Sequence, residues 1–444
     1  MIESLAQLQQ LMRHQGAVRL YAKSLAKNDN SKNQVYLGGG FSALNIIPHG
    51  DIYNDSDIRA GSKRDRAKAP VRFFWVDESG RYQAPDATLI LYPKYPEVRI
   101  SGFLKGCSKG PTDLMSFPAV EKRVLFFGIC ANGDVLGLVV PPESTLAQEV
   151  RARNWEETGV FLEISLNENA EQTSTKNILL AHLKALYLRN WISSQKLSAD
   201  GVKMPYSARN GGGYTLEAEL GITPNGYSEP DFMGWEVKQY GVADFEKFSA
   251  KSPVTLMTPE PTGGIYKEKG AENFLRAYGY ADQSGKENRI NFGGIYTCHR
   301  SFHNMTGLRM VLEGYDQESS KITDMQGGIL LLDRNDKIAA SWSFSGIMAH
   351  WNRKHAQAAY IPSLFRNPPP EYAYGARILL CEETDFLLFL KALSAGIVYY
   401  DPAVKMEQAD TVKPIIKRRS QFRVKHPQVT KLYHQHEIKN LIDK

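Results

Sequence analysis

Residues 214–240 read YTLEAELGITPNGYSEPDFMGWEVKQY. The part from Tyr214 to Leu220 carries a helical pattern, and Gly221 stands where a helix would stop. Pro230 precedes Asp231, which predicts a turn. From 234 to 239 the chain alternates, with Trp235 and Val237 set against Glu236 and Lys238. A period of two predicts a strand with one buried face. Glu236 and Lys238 then project from the same side of that strand.

Those residue types have a chemical meaning together. Asp231 from the turn and Glu236 from the strand offer hard oxygen ligands, the kind Mg²⁺ prefers while it retains several waters. A lysine beside them can position the attacking water or help deprotonate it. The set suits phosphodiester hydrolysis, in which a metal polarises the phosphate. Glu217, fourteen residues before Asp231 on the predicted helix, can reach the same place. A D-x4-E-x-K string is common by itself, and a surface strand with an ion pair would also contain one.

The segment TLEAELGI…PDFMGWEVK resembles the PD-(D/E)xK nucleases of the MutH and MvaI/BcnI restriction endonuclease group. The likeness continues in order through KSPVTLMT at 251–258, SWSF at 341–344 with the helix after it, and RSQFRV at 419–424. It covers roughly residues 205–425. The resemblance implies that Asp231 and Glu236 ligate Mg²⁺, that Lys238 orients the water and that Glu217 supports the metal site. It implies DNA contacts from Asp401, Lys417, Arg419 and Arg423. An Asp can accept from cytosine N4 and an Arg can pair with guanine O6/N7. The arginine the family places soon after the acid is missing here; Pro402, Ala403, Val404 and Lys405 follow Asp401 instead. The alternation of Phe422, Arg423 and Val424 predicts that Arg423 is free to enter a groove.

Residues 1–165 read differently. Short apolar runs at 18–21, 34–37, 71–76, 88–92, 98–103, 123–130 and 135–140 are separated by turn residues, which predicts an all-β domain. YAKSLAKNDNSKNQVYL at 21–37 and PEVRISGF at 96–103 are similar to the effector-binding domain of the EcoRII restriction enzyme. That likeness implies a pseudobarrel shared with plant B-three-type transcription factors, with two DNA-contacting arms. Asn28, Asn33, Gln34, Lys94, Glu97 and Arg99 are the polar groups such arms would offer.

The expected organisation is an effector domain at 1–165, a polar linker at 166–176 and an α/β nuclease domain at 177–444. Composition agrees with folded domains: 444 residues, 42% hydrophobic and 23% charged, allow two or three cores. No stretch reaches the ~18 apolar residues of a membrane span, so no membrane partner is expected and a cytoplasmic location is. Four cysteines without a CxxC pair argue against a zinc knuckle or a disulfide framework. The net charge of +6 lies wholly in residues 405–444, where ten basic residues face four acidic ones. Such a stripe is a solvated face or a phosphate contact.

Together these readings predict a Mg²⁺-dependent type II restriction endonuclease acting on double-stranded DNA at a short GC-rich site such as CCWGG. Its effector domain would bind a second site, the chain would act as a monomer, and a cognate methyltransferase would protect host DNA. A non-cleaving DNA-binding or modified-base-sensing protein and a MutH-like repair nickase are the alternatives.

Overall fold

A computed structural model describes residues 2–28, 32–55, 66–166, 175–208, 210–223 and 231–443, the side chain of Arg353 excepted. The linker stretch at 167–174 and Pro230 lie outside the described residues. The chain divides into two compact units, Met1–Ile178 and Leu179–Lys444.

In the first unit the apolar runs become strands of two sheets. One has seven strands, in the order Glu156–Thr158, Phe161–Ile164, Ala17–Leu25, Arg123–Cys130, Val135–Val140, Phe73–Asp77 and Gly80–Ala84. The other has five: Val35–Gly39, Glu97–Ser101, Thr88–Tyr92, Ala67–Pro70 and Tyr53–Asn54. Arg123–Cys130 and Val135–Val140 are buried at every position, as central strands covered on both faces should be. One cover is the helix Leu5–His14, capped by the Ser4 hydroxyl, which accepts from the Gln7 amide. It packs Leu5, Leu8 and Met12 with Phe126, Leu136 and Val150.

The all-β expectation for this unit needs one correction. Helices Leu5–His14 and Thr145–Ala152 contribute apolar residues to the core. Among the described residues both strand orders are open, with no closed barrel.

The second unit is α/β. Its main sheet runs Ile192–Ser193, Glu371–Tyr374, Gln357–Arg366, Arg377–Glu382 and Gln435–Asn440. The strand Trp235–Gly241 joins it parallel to Gln357–Arg366, with Glu236 opposite Ala358 and Lys238 opposite Tyr360. Trp235 and Val237 enter a core with Leu179, Leu183 and Leu186 of helix Thr175–Leu188 and Leu216 of helix Gly211–Glu219. A smaller sheet orders Val254–Met257, Phe422–Val424 and Val398–Tyr400, which sets Arg423 opposite Tyr399. A four-stranded sheet contains Arg289–Gly293, Ala403–Glu407 and Ile415–Lys417.

The sequence pattern predicts a strand at 293–297. The strand instead ends at Gly293. Gly294 takes a φ of +133°, outside strand geometry, and the His303 ring fills the space where its side chain would stand. Tyr296 then makes only an isolated bridge to Tyr400.

Candidate active site

The site begins with a close approach of helix to sheet. Gly211, Gly212 and Gly213 form the first turn of the helix Gly211–Glu219. A Cβ on Gly211 would stand 2.6 Å from Ser194 Oγ, and one on Gly212 would stand 2.9 Å from the Gln239 amide. The Tyr374 hydroxyl donates to the Gly212 carbonyl at 2.8 Å. Small residues therefore let the helix lie against the sheet, and Glu217 comes close enough to feel the charges of Asp231, Lys238 and Lys354.

Asp231 is placed by a tight turn. Phe232 and Trp235 exchange backbone hydrogen bonds at 2.9 and 2.8 Å, and between them Met233 and Gly234 adopt left-handed φ values of +47° and +93°. The chain doubles back, and Asp231 Oδ2 accepts from the Val237 amide at 3.1 Å. The carboxylate is fixed at the head of the strand.

Glu236 is only 1% exposed, which rules out the surface ion pair as an account of this string. Its Oε1 accepts from Lys238 Nζ at 2.7 Å, and Lys354 Nζ lies 3.4 Å away. Its Oε2 is buried without any partner. Burial pushes the Glu236 carboxyl up to about 7, with Asp231 adding to the effect and the two lysines opposing it. Glu217 is likewise pushed up to about 7, first by burial and then by Asp231. Burial pulls the Lys354 ammonium down, but Glu236, Asp231 and Glu217 outweigh it and hold the group above its ordinary value.

Lys354 was not foreseen as a site residue. The helix Phe344–His355 was legible from its pattern, but nothing in the local sequence sets this lysine beside Glu236. On the same helix His355 is fully buried, stacked on Trp351 at 4.2 Å, with Nε2 against the Leu256 carbonyl at 3.0 Å. Burial and the nearby lysines hold its imidazole well below the ordinary value, so it packs as a neutral ring.

The residues expected to contact DNA in this unit are placed as follows. Arg423 is not free: its Nη1 pairs with Asp401 Oδ2 at 2.7 Å and its Nη2 donates to the Pro253 carbonyl at 2.7 Å. Asp401, just past the strand Val398–Tyr400, is thus paired with an arginine of the neighbouring strand. Lys417 pairs with Glu407 at 2.9 Å, while the exposed Arg419 donates to Gln421 Oε1 at 3.3 Å.

In the first unit the two expected arms meet at a cleft of about 280 Å³ lined in part by Asn28, Asn33, Gln34 and Arg99. Asn28 Nδ2 donates to Asn33 Oδ1 at 3.1 Å and to the Met115 carbonyl at 3.3 Å, while Asn33 Oδ1 also accepts from the Phe117 amide at 3.2 Å. These groups hold the arm in shape as well as lining the cleft. Arg99 pairs with Glu97 at 2.9 Å, and Lys94 lies over the Tyr95 ring. Lys94 and Glu97 do not line the cleft.

Residues 180–433 match the sequence model of a restriction endonuclease family, which makes the chain a type II site-specific deoxyribonuclease. The family is that of the MvaI/BcnI restriction endonucleases, and the chain belongs to it. Among solved structures it is similar to the restriction endonuclease MvaI–cognate DNA substrate complex, at 18% identity over 61% of this chain and 100% of that one, with a TM-score of 0.45. Restriction endonuclease MvaI in the absence of DNA gives 16% identity over 61% of this chain and 99% of that one, with a TM-score of 0.34. No curated protein matches. Among the described residues no helix is long and apolar enough to cross a membrane.

Proposed function

We propose that the chain cuts double-stranded DNA with Mg²⁺ at a short GC-rich site of the CCWGG kind, and that its first unit binds a second copy of that site as an effector. The observation that carries the catalytic reading is the state of Glu236: buried, held through one oxygen by two lysines, and unpartnered at the other. An orphaned carboxylate oxygen in that setting is costly unless a cation meets it. Among the described residues no three His, Cys, Asp or Glu side chains form a ready ligand cluster. Two carboxylates suffice for an ion that keeps most of its waters. Asp231 and Glu236 would hold it and Glu217 would support them. When bound, Mg²⁺ supplies the charge that stabilises the phosphoryl-transfer transition state. Lys238 Nζ, fixed by Glu236, orients the attacking water by donating to it. The Val237 amide keeps Asp231 aimed at the same place.

Recognition follows from the paired charges. Asp401 would accept from cytosine N4 while Arg423 donates to guanine O6/N7, so the pair observed in the protein opens onto a C·G pair in DNA. Lys417 and Arg419 would meet phosphates. In the first unit Asn28, Asn33 and Gln34 on one arm and Lys94, Glu97 and Arg99 on the other would contact the effector site. The chain acts as a monomer, with a cognate methyltransferase guarding host DNA. Digestion of a plasmid with Mg²⁺ and with EDTA, followed by sequencing of the ends, tests this. Ends at one repeated site that appear only with Mg²⁺ are expected; intact plasmid would overturn the catalytic reading.

A further inference from the structure

The cleft of the first unit is cationic among its described lining residues. Lys23, Lys27, Arg99 and Arg123 line it, and no acidic side chain does so among the described residues. Two of these cations are accounted for. Arg123 is buried because its guanidinium donates to the carbonyls of Ala26, Leu114 and Val120, which fixes the cleft wall. Arg99 pairs with Glu97.

Lys23 is different. It is 9% exposed, on the strand Ala17–Leu25, and among the described residues no carboxylate pairs with it. Its ammonium lies over the ring of Tyr36, another lining residue, at 5.9 Å. A buried lysine without a counter-ion is disfavoured in a free protein. Burial holds this ammonium below its ordinary value, which is the same penalty seen from the proton's side. A group with that cost, set in an otherwise cationic cleft, fits an anionic or acceptor-rich ligand that completes it.

We propose that Lys23 is a DNA-contacting residue of the first unit, donating from the cleft to a nucleotide acceptor, either guanine O6/N7 or a phosphate oxygen. This rests on the reading of the first unit as a second-site binder. The two sources share one chemistry, and Lys23 adds a cation from the floor of the cleft to the polar groups of the arms. The Tyr36 ring lies over the ammonium and favours its charged form.

The test uses the full chain with Ca²⁺ in place of Mg²⁺ and a short duplex carrying the site that cleavage mapping returns. Titration should give two duplexes per chain for the parent and one for Lys23→Met, with affinity at the lost position reduced about tenfold or more. Lys23→Met should melt at the parent temperature or above it, because it removes a buried charge. A purely structural lysine would lower melting and leave stoichiometry alone. Should Lys23→Met melt early, Lys23→Arg against Lys23→Gln carries the test, with two duplexes expected for Arg and one for Gln. Single-base variants of the duplex and two salt concentrations separate the sources. Guanine contact makes the loss depend on one base pair, whereas phosphate contact makes it uniform and lowers the salt slope by about one. Two duplexes of unchanged affinity for Lys23→Met would overturn the proposal alone. One duplex for the parent would overturn the second-site reading and the proposal with it.

Discussion

The two units bury charge in opposite ways. In the second unit Glu217, Asp231 and Glu236 gather around two lysines, and a carboxylate oxygen is left without a partner. In the first unit four cations and no carboxylate line the cleft among the described residues, and there a lysine has no carboxylate partner. Both units are proposed to meet the same polymer. A surface that only holds DNA needs cations facing phosphates and base acceptors. A site that breaks the backbone needs buried acids to bring in a metal ion, with lysines to keep those acids tolerable when the ion is absent. The lining of each site therefore separates holding from cutting.

The largest effect expected is at the acids and their lysine. Asp231→Asn and Lys238→Ala should each lower the cleavage rate on the order of a thousandfold while duplex affinity changes little. A gel-shift titration beside a timed digest measures both, and cutting at the parental rate would remove the contrast between the units. Lys354→Met should cost about 10–100-fold in cleavage, since it supports Glu236 from outside the proposed ligand pair. Its loss should appear as a higher Mg²⁺ requirement; an unchanged metal titration would reduce Lys354 to packing.

Smaller changes are expected at the recognition pair. Arg423→Ala should lose about 1–3 kcal/mol of discrimination at one base pair, and Asp401→Ala should lose it at the same base pair. Because the two side chains touch, the double variant should lose less than the sum. Binding to single-base duplex variants decides it, and losses at unrelated positions would mean that the pair is structural.

The smallest expected effect is on stability. Glu236 and Glu217 are raised from the ordinary 4.5 to about 7 in the folded chain. Between those values the folded state holds more protons than the unfolded one. Their stabilising contribution is complete below pH 4.5 and is lost as pH rises through about 7. The metal-free chain should therefore melt a few degrees lower at pH 8 than at pH 6. Glu236→Gln should flatten that slope, and Mg²⁺ should restore the melting temperature at pH 8. A melting temperature that rises with pH in both chains would show that Glu236 is ionised throughout.

Much of this was legible because local pattern and chemistry coincide. The alternation of Trp235, Glu236, Val237 and Lys238 predicts a strand with Glu236 and Lys238 on one side, and the helix after SWSF was expected where it is found. Other features were not local. Lys354 reaches Glu236 from a helix far along the chain. Arg423 reads as free on its own strand, and only the pairing with Val398–Tyr400 brings Asp401 to it. The strand expected at 293–297 ends at Gly293, where Gly294 leaves strand geometry and the His303 ring, nine residues on, fills the space beside it.

The sequence by itself determined that Asp231, Glu236 and Lys238 come together, because their spacing is one that a turn and a strand convert directly into proximity. It also determined that the first half would be mostly strands, since period-two runs between turn residues have few other folds. Tertiary structure alone decided that Glu236 is buried, that Lys354 joins it, and that Lys23 lines a cleft with no carboxylate beside it among the described residues. Those facts depend on which surfaces pack together, and packing is a property of residues that are neighbours in space, not along the chain.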